Sequence, residues 1–218
     1  MEGKDGAGKG TFSKALLNVL AEERYSVGII SFPRYTDTLA GNALGRFLNG
    51  KMPGQNDPRV VASLYALDRF ESIEILRSDL DRYDFLISDR YVASNVAYQS
   101  AKCPASERQA IADWIIRLEH EMYDLPYPAL NVLLSTPSAL ARKNVEQKRP
   151  RGYTQATYDV HEADELLQET VDETYNKLTK SDRLGPWLTV KTESSGQMRK
   201  PVDLAKEVAH YILSTPSK

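Results

Sequence analysis

The sequence predicts a three-layer α/β fold in which a parallel sheet is flanked by helices on both faces. Four short apolar runs, each bounded by polar or turn residues, are typical of buried strands. Segments with helical spacing separate one run from the next, and strands that alternate with helices form parallel sheets covered on both faces. The four runs are residues 27–32, 85–88, 130–134 and 187–190.

The helical segments are recognised by the spacing of their apolar residues. In the first of them, Phe12, Leu16 and Val19 recur at helical intervals and therefore share one face. Proline at or near the start of three of the last four fits the first turn of a helix. The predicted helices are residues 11–23, 58–80, 105–122, 137–144, 159–178 and 201–213.

Length and composition place the whole chain, residues 1–218, in one domain, because 218 residues with 41% hydrophobic content can bury a full core. Lys and Arg number 28 against 30 Asp and Glu, so the chain lacks the basic field that steers proteins onto nucleic acid, and we expect no nucleic-acid partner. No apolar run approaches the roughly 20 residues that span a bilayer, and no signal peptide is recognised. Together with a single cysteine, these features predict a cytoplasmic protein without a membrane partner.

A glycine-rich loop begins at Gly3. Residues 3–11 read Gly-Lys-Asp-Gly-Ala-Gly-Lys-Gly-Thr and lead directly into a predicted helix. Glycines let backbone N–H groups converge on phosphate oxygens, the helix N-terminus adds positive potential, and Lys9 reaches the β and γ phosphates. This arrangement predicts a P-loop NTPase fold that binds ATP. The residues predicted to bind its phosphates are Gly3, Gly6, Ala7, Gly8, Lys9, Gly10 and Thr11.

Two features of this loop are unusual. Gly10 stands where the usual pattern has the serine or threonine that binds Mg²⁺, so we expect the metal to be held through water and a carboxylate instead. A loop of this kind normally follows a strand, yet only Met1 and Glu2 precede it, and the first strand is therefore missing from the chain. A truncated or misassigned start is the favoured explanation. The alternatives are a strand supplied in another way and a degenerate protein.

Three segments outside the loop resemble bacterial thymidylate kinases in sequence, order and spacing. They are residues 32–35 (FPRY), 64–69 (LYALDR) and 89–99 (DRYVASNVAYQ), of which the last is the most specific. The resemblance extends to residues 159–162 and to the strand at Trp187, so it covers almost the whole chain. It implies transfer of the ATP γ-phosphoryl group to dTMP with Mg²⁺ as cofactor, and a homodimer.

The resemblance also implies how the base is bound. Tyr65 and Arg69 lie four residues apart on one helical face, which fits an aromatic ring that stacks on thymine and a guanidinium that binds its carbonyl edge. The alternative is a core tyrosine and an arginine paired with Glu71 or another acid. Asn95 is assigned to the base edge, and Gln99 either to the base edge or to a helix cap.

The remaining substrate contacts concern the sugar and the acceptor phosphate. Tyr98 is assigned to packing under the sugar, where it disfavours a ribose 2′-hydroxyl, and Phe32 shapes the base pocket. Which of Arg34 and Tyr35 contacts the acceptor phosphate is left open by the sequence. Arg90 is predicted to bind that phosphate as a catalytic residue.

Two carboxylates are predicted near the metal. The resemblance implies that Asp5 faces the deoxyribose 3′-hydroxyl and the Mg²⁺ shell, whereas an ordinary surface acid is the alternative. Asp89 ends a strand at the edge where such sheets bind ligands, so it is predicted to hold Mg²⁺ directly or through water. Ion pairing between Asp89 and Arg90 at the strand end is the rival interpretation.

A basic segment at about residues 146–156 is predicted to be a lid. The loop itself has Gly6 and Ala7 at the positions that could hold a catalytic arginine, so this role falls on Arg149 and Arg151. A basic loop that is merely solvated is the alternative.

Other functions fit parts of the pattern. A kinase for another deoxynucleoside monophosphate would need only one or two changes in the pocket. An inactive nucleotide-binding homologue would fit Gly10 and the missing strand. A nucleoside kinase would need a general base near the 5′-hydroxyl, and Glu2 is the only candidate close to the loop.

Overall fold

The computed structural model describes residues 1–52, 57–147 and 165–215, and its central feature is a parallel sheet. β1 pairs with β2, and β3 pairs with β4, in both cases parallel and in register over five residues. The four predicted strands are confirmed to within one residue at each end. They are β1 (Val27–Ser31), β2 (Phe85–Asp89), β3 (Asn131–Ser135) and β4 (Trp187–Lys191), and a small antiparallel hairpin of β5 (Glu193–Ser194) and β6 (Gln197–Met198) follows.

The first residues of the chain lie between the two strand pairs. On one side, the Glu2 N–H donates to the Val132 carbonyl at 2.8 Å, and the Leu134 N–H donates to the Glu2 carbonyl at 2.9 Å. On the other side, the Arg90 N–H donates to the Met1 carbonyl at 3.0 Å. No regular strand precedes the P-loop in the described residues, as predicted, but this short segment fills the central position. The sheet order is therefore β1, β2, residues 1–3, β3, β4.

The helices cover both faces of the sheet. β3 shows this directly, because Val132 and Leu134 pack into one apolar cluster and Leu133 packs into another. The first cluster includes α1 and α9, and the second includes α5, α6 and α8. This arrangement confirms the three-layer α/β fold. The helices of the described residues are α1 (Lys9–Glu22), α2 (Leu39–Leu48), α3 (Pro58–Glu71), α4 (Ile73–Arg82), α5 (Val92–Ala101), α6 (Arg108–Ile116), α7 (Ser138–Glu146), α8 (Glu165–Leu178) and α9 (Pro201–Ser214), with a π-helical turn (Arg117–Met122) after α6.

Two helix predictions need correction. Residues 58–80 form two helices rather than one, because the chain breaks at Ser72, whose hydroxyl donates to the Asp68 carbonyl at 2.9 Å. Neither α2 nor α5 was among the predicted helices, and for α2 the structure gives a reason. Two of its ten residues are glycines, and a Cβ at Gly41 would lie 2.2 Å from the Arg34 carbonyl, so close packing requires a residue of poor helix propensity.

Within residues 1–52, 57–147 and 165–215, no helix is long and apolar enough to cross a membrane. Most of the predicted lid, residues 146–156, lies outside the described residues, as do Arg149 and Arg151.

Candidate active site

A cavity of about 640 Å³ lies at the carboxyl ends of β1 and β2, next to the P-loop. This edge is where parallel α/β sheets bind ligands. The P-loop forms one end of the cavity, and α3 and α5 form the other. Its lining residues are Asp5, Gly6, Gly8, Lys9, Gly10, Thr11, Lys14, Ser31, Phe32, Pro33, Tyr35, Leu48, Tyr65, Arg69, Asp89, Arg90, Ser94, Asn95, Tyr98 and Gln99.

The P-loop is shaped by two glycines and closed by its lysine. Gly8 has φ 87° immediately before α1, and Gly6 has φ 81°. A Cβ on Gly6 would lie 2.0 Å from the Ala141 carbonyl, so only glycine fits this close approach of the loop to α7. Lys9 Nζ donates to the carbonyls of Gly3 and Lys4, each at 2.9 Å. These bonds hold the ammonium group where the loop meets the cavity.

Asp5 connects the P-loop to the residues after β2. Its carboxylate pairs with the Arg90 guanidinium and accepts a hydrogen bond from the Tyr98 hydroxyl at 2.7 Å. The guanidinium also donates to Ser94 Oγ at 3.2 Å and lies over the Tyr98 ring, 5.2 Å from its centroid. Burial, and then the Asp5 carboxylate, raise the pKa of Tyr98 well above its usual range, so the phenol is neutral and donates.

Glu2 anchors the backbone below this group. It is 1% exposed, and its carboxylate accepts from the Tyr91 N–H at 2.9 Å, from Ser94 Oγ at 2.6 Å and from the Tyr175 hydroxyl at 2.8 Å. Arg90 has φ 68°, a left-handed conformation that non-glycine residues rarely adopt. The hydrogen bonds of Glu2 to the next residue and to α5 hold the chain in this turn, which directs the Arg90 side chain toward the loop.

One face of α8 contacts the same loop. The Gln168 amide exchanges hydrogen bonds with Asp5, accepting from its N–H at 3.4 Å and donating to its carboxylate at 3.3 Å. One turn further along, Asp172 pairs with the buried ammonium of Lys4, which also donates to Ser138 Oγ at 2.9 Å. Burial raises the pKa of Asp172, and the Lys4 contact opposes this shift. A further turn on, Tyr175 reaches Glu2 as described above.

Asp89 lies beside Gly10, the residue that stands where the usual P-loop has a serine or threonine. A Cβ on Gly10 would lie 3.2 Å from Asp89 Oδ2, so the carboxylate faces the start of α1. In contrast to Asp5, the Asp89 carboxylate accepts no hydrogen bond from the residues that the structure describes. Lys14 lies one turn after Gly10 and lines the same cavity.

The far end of the cavity holds buried polar groups. Arg69 is 1% exposed and is paired with Glu119, while Asn95 is 2% exposed and donates to the same carboxylate. Burial lowers the pKa of Arg69, but the Glu119 carboxylate outweighs it and the net direction is upward. Among the described residues, Asn95 Oδ1 and Gln99 Nε2 are buried without a hydrogen-bond partner. Buried polar atoms are rarely left unpaired, so these two atoms, on side chains that line the cavity, mark the place of a polar ligand.

The family assignment follows from comparisons with known proteins. A family model for thymidylate kinase matches residues 1–199. The thymidylate kinase of Mycobacterium tuberculosis is 32% identical over 191 residues, which cover 87% of this chain and 89% of the relative. This chain belongs to the thymidylate kinase family. The thymidylate kinase of Clavibacter michiganensis is 34% identical over 157 residues, covering 69% of this chain and 68% of the relative.

Solved structures show the same fold. The thymidylate kinase of Candida albicans superposes with a TM-score of 0.72 at 19% identity, over 98% of this chain and 89% of the other. The thymidylate kinase of Ehrlichia chaffeensis gives 0.64 at 19% identity, over 97% and 95%. The resemblance and the P-loop NTPase fold predicted from the sequence are therefore confirmed.

Most of the site residues predicted for this thymidylate kinase family member line one cavity. Gly3 and Ala7 belong to the P-loop but do not line the cavity. Arg34 is turned away, because its guanidinium pairs with Asp37 and donates to Ser72 Oγ at 3.3 Å. Of the two candidates for the acceptor phosphate, only Tyr35 lines the cavity. Arg69 is paired with an acid, as the alternative interpretation expected, yet it also lines the cavity.

Lys14, Ser94 and Glu119 are among the residues at or beside this cavity that were not predicted. Lys14 had a usable signal, since it follows Gly10 by one helical turn and must lie on the same face. Ser94 sits within the recognised segment 89–99, where spacing from Arg90 could have suggested a contact. Glu119 had no local signal, because it lies 50 residues from Arg69 in the sequence.

Proposed function

We propose that this chain transfers the γ-phosphoryl group of ATP to dTMP, giving dTDP, with Mg²⁺ as cofactor. The observation that carries this proposal is a single cavity with two unlike ends. One end is a P-loop whose lysine lines the cavity, and the other is a set of buried, partly unpaired polar groups suited to a base. A donor nucleotide and an acceptor nucleotide can thus meet head to head.

Charge compensation at the transferred group is assigned to Lys9 and Arg90. Phosphoryl transfer depends mainly on alignment and electrostatic stabilisation, and a phosphate acceptor is already a nucleophile that needs no general base. Lys9 exchanges its two carbonyl contacts for β- and γ-phosphate oxygens. Arg90, held by Asp5 and Ser94, is presented to the acceptor phosphate.

Asp89 is the proposed Mg²⁺ ligand. Mg²⁺ prefers carboxylate, phosphate and water oxygens, and it neutralises the charge that develops on the phosphates. Asp89 fits, since its carboxylate faces the phosphate-binding helix start and accepts no hydrogen bond from the described residues. Asp5 fits less well, because Arg90, Tyr98 and Gln168 already occupy its carboxylate oxygens. Its proposed role is to orient Arg90 and Tyr98 at the sugar.

The base is assigned to the end of the cavity at Arg69 and Asn95. Tyr65 and Phe32 line this region and supply aromatic surface for a base, while Tyr98 packs under the sugar. Gln99 Nε2 is a further buried donor on the lining. The nucleoside kinase alternative loses its candidate base, because the Glu2 carboxylate is buried and accepts three hydrogen bonds.

A turnover panel tests the proposal. Purified protein is assayed with ATP, Mg²⁺ and either dTMP, dUMP, dGMP or dAMP, and we expect dTDP formation to be fastest. A Lys9→Met variant should lose activity by about 10²-fold or more while keeping its melting temperature. The matched control is Lys177→Met, which changes an exposed lysine of α8 outside the cavity. Equal or faster turnover of a purine nucleotide would refute the substrate, and nucleotide binding without dTDP formation would favour an inactive homologue.

A homodimer and a cytoplasmic location complete the proposal. Val60, Leu67 and Phe70 are exposed on the outer side of α3, with exposed fractions of 42%, 36% and 43%. Apolar residues on one helix face suit contact with a second copy. Light scattering tests this proposal: we expect a mass of two chains for the native protein and of one chain for Leu67→Glu.

A further inference from the structure

One buried carboxylate holds both polar side chains at the base end of the cavity. Glu119 lies in the π-helical turn Arg117–Met122 and is 0% exposed. Its Oε2 accepts from Arg69 Nε at 2.5 Å, and its Oε1 accepts from Arg69 Nη2 at 2.7 Å. Oε1 also accepts from Asn95 Nδ2 at 2.8 Å. An arginine from α3 and an asparagine from α5 therefore share one acceptor group.

Glu119 decides which end of the Asn95 amide faces the cavity. The amide nitrogen carries two hydrogens, and both are used, one on Glu119 and one on the Ala62 carbonyl at 3.0 Å. The reversed amide would place its oxygen against these same two acceptors, which is electrostatically unfavourable. Oδ1 stays buried without a partner in the described residues. Asn95 thus offers the cavity a hydrogen-bond acceptor.

The same carboxylate orients the neighbouring donor group. A guanidinium can only donate hydrogen bonds. Glu119 accepts hydrogen bonds from Nε and Nη2 of Arg69. Because this side chain lines the cavity, its Nη1 end is left to donate to a ligand there. Because Arg69 and Asn95 both bond to Oε1, the donor and the acceptor are neighbours.

We propose that Glu119 is a positioning residue which fixes this donor–acceptor pattern and so makes the site select a base edge with a carbonyl next to an N–H. Thymine and uracil have such an edge, whereas cytosine presents an amino group next to a bare ring nitrogen. Cytosine would place its donor against Arg69 and its lone pair against Asn95 Oδ1. A site built to make hydrogen bonds rejects a ligand that leaves its buried groups unpaired. This inference rests on the proposed function, because it concerns the base of the same acceptor nucleotide.

A Glu119→Gln variant tests the proposal. Glutamine keeps the shape but offers one acceptor oxygen, so its amide nitrogen faces either Arg69 or Asn95 and disrupts the pattern. Dissociation constants for dTMP, dUMP and dCMP are measured by calorimetry on native protein and variant. We expect the native protein to prefer dTMP and dUMP over dCMP, and the dTMP-to-dCMP affinity ratio to fall about 10- to 100-fold in the variant. A Glu119→Asp variant keeps the charge and should keep the ratio within about 3-fold.

Two controls separate this effect from lost stability. Asn131→Ala removes a buried amide that donates to the Leu184 carbonyl at 2.7 Å outside the cavity, so it should lower the melting temperature and leave the ratio unchanged. N3-methyl-dTMP lacks the N–H and should bind the native protein at least about 10-fold more weakly than dTMP; this comparison serves if Glu119→Gln does not fold.

The outcomes distinguish this inference from the function on which it rests. An unchanged ratio in Glu119→Gln, or equal binding of N3-methyl-dTMP and dTMP, would overturn the role of Glu119 while dTDP formation still stands. Native protein that forms no dTDP would refute the proposed function, and the binding ratios would still test Glu119.

Discussion

The pair between the P-loop and α8 allows a quantitative prediction for a Lys4→Met variant. Lys4 is 3% exposed, and its ammonium pairs with Asp172 and donates to Ser138 Oγ. Methionine keeps most of the apolar stem, so the packing of the loop changes little. The variant therefore removes the charge and leaves the Asp172 carboxylate without its partner.

The size of the effect follows from the exposure of the two partners. Removing one member of a fully buried ion pair costs about 3–5 kcal/mol. The Asp172 side chain is 39% exposed, so solvent screens the remaining charge, and we expect a loss of about 1–2 kcal/mol at pH 7. For a chain of this size, such a loss lowers the melting temperature by about 3–6 °C.

The effect should depend on pH. Burial raises the pKa of Asp172 in the folded state. A carboxyl group with a raised folded pKa favours folding below its unfolded pKa of about 3.9, and this contribution is lost as the pH rises through the folded value. Without Lys4 the folded pKa rises further. The destabilisation by Lys4→Met should thus be largest at pH 7 and smaller near pH 4, because protonation of Asp172 removes the unpaired charge.

Urea unfolding at pH 7 and pH 4 measures both quantities. Lys177→Met, an exposed lysine of the same helix, is the control and should change the free energy of unfolding by less than about 0.5 kcal/mol. Asp172→Asn should show a weaker pH dependence than Lys4→Met. A loss below about 0.5 kcal/mol at pH 7, or an equal loss at both pH values, would refute this account of the pair.

Three further predictions concern the site. Gly6→Ala should destabilise the loop by about 2 kcal/mol or more and raise the KM for ATP, since its Cβ meets the Ala141 carbonyl and φ is positive; an unchanged melting temperature and KM would contradict this. Tyr98→Phe should lower kcat/KM for dTMP about 5- to 10-fold by removing the hydrogen bond to Asp5, and the native rate should show no tyrosine titration up to pH 9, because the pKa of Tyr98 is raised well above its usual range. Asp89→Asn should raise the Mg²⁺ concentration for half-maximal activity by about 10-fold, as a metal titration would detect, and an unchanged requirement would exclude Asp89 as a ligand.

The sequence predicts the strands well because they are buried on both faces and read as continuous apolar runs. It predicts α2 poorly because its glycines are dictated by the approach of the Arg34 carbonyl, a tertiary contact with no local pattern. Residues 1–3 are too few to be recognised as a strand from their pattern. They nevertheless fill the space between β2 and β3, because a few backbone hydrogen bonds are enough to connect the two strand pairs.

The site residues, too, were predicted where the local sequence shows a pattern and missed where tertiary contacts decide. Lys9, Asp89 and Asn95 lie in recognisable segments and reach the cavity as expected. Arg34 lies in such a segment too, but Asp37 and Ser72 draw its side chain away, and this depends on how α3 and α4 pack. Glu119 is set by the π-helical turn that follows α6, and no spacing rule links it to its partners.

The contacts between α8 and residues 2–5 restrict the length of this segment more than the identity of its residues. Gln168, Asp172 and Tyr175 lie on successive turns of α8, over about 10.5 Å of the helix axis, and they contact residues 5, 4 and 2 in that order. A residue inserted between Glu2 and Asp5 would displace at least one of these contacts relative to the others by up to about 3.3 Å, which is beyond hydrogen-bond reach. We therefore expect this stretch to accept paired substitutions that preserve the contacts, and to lose at least one contact on insertion or deletion of a residue.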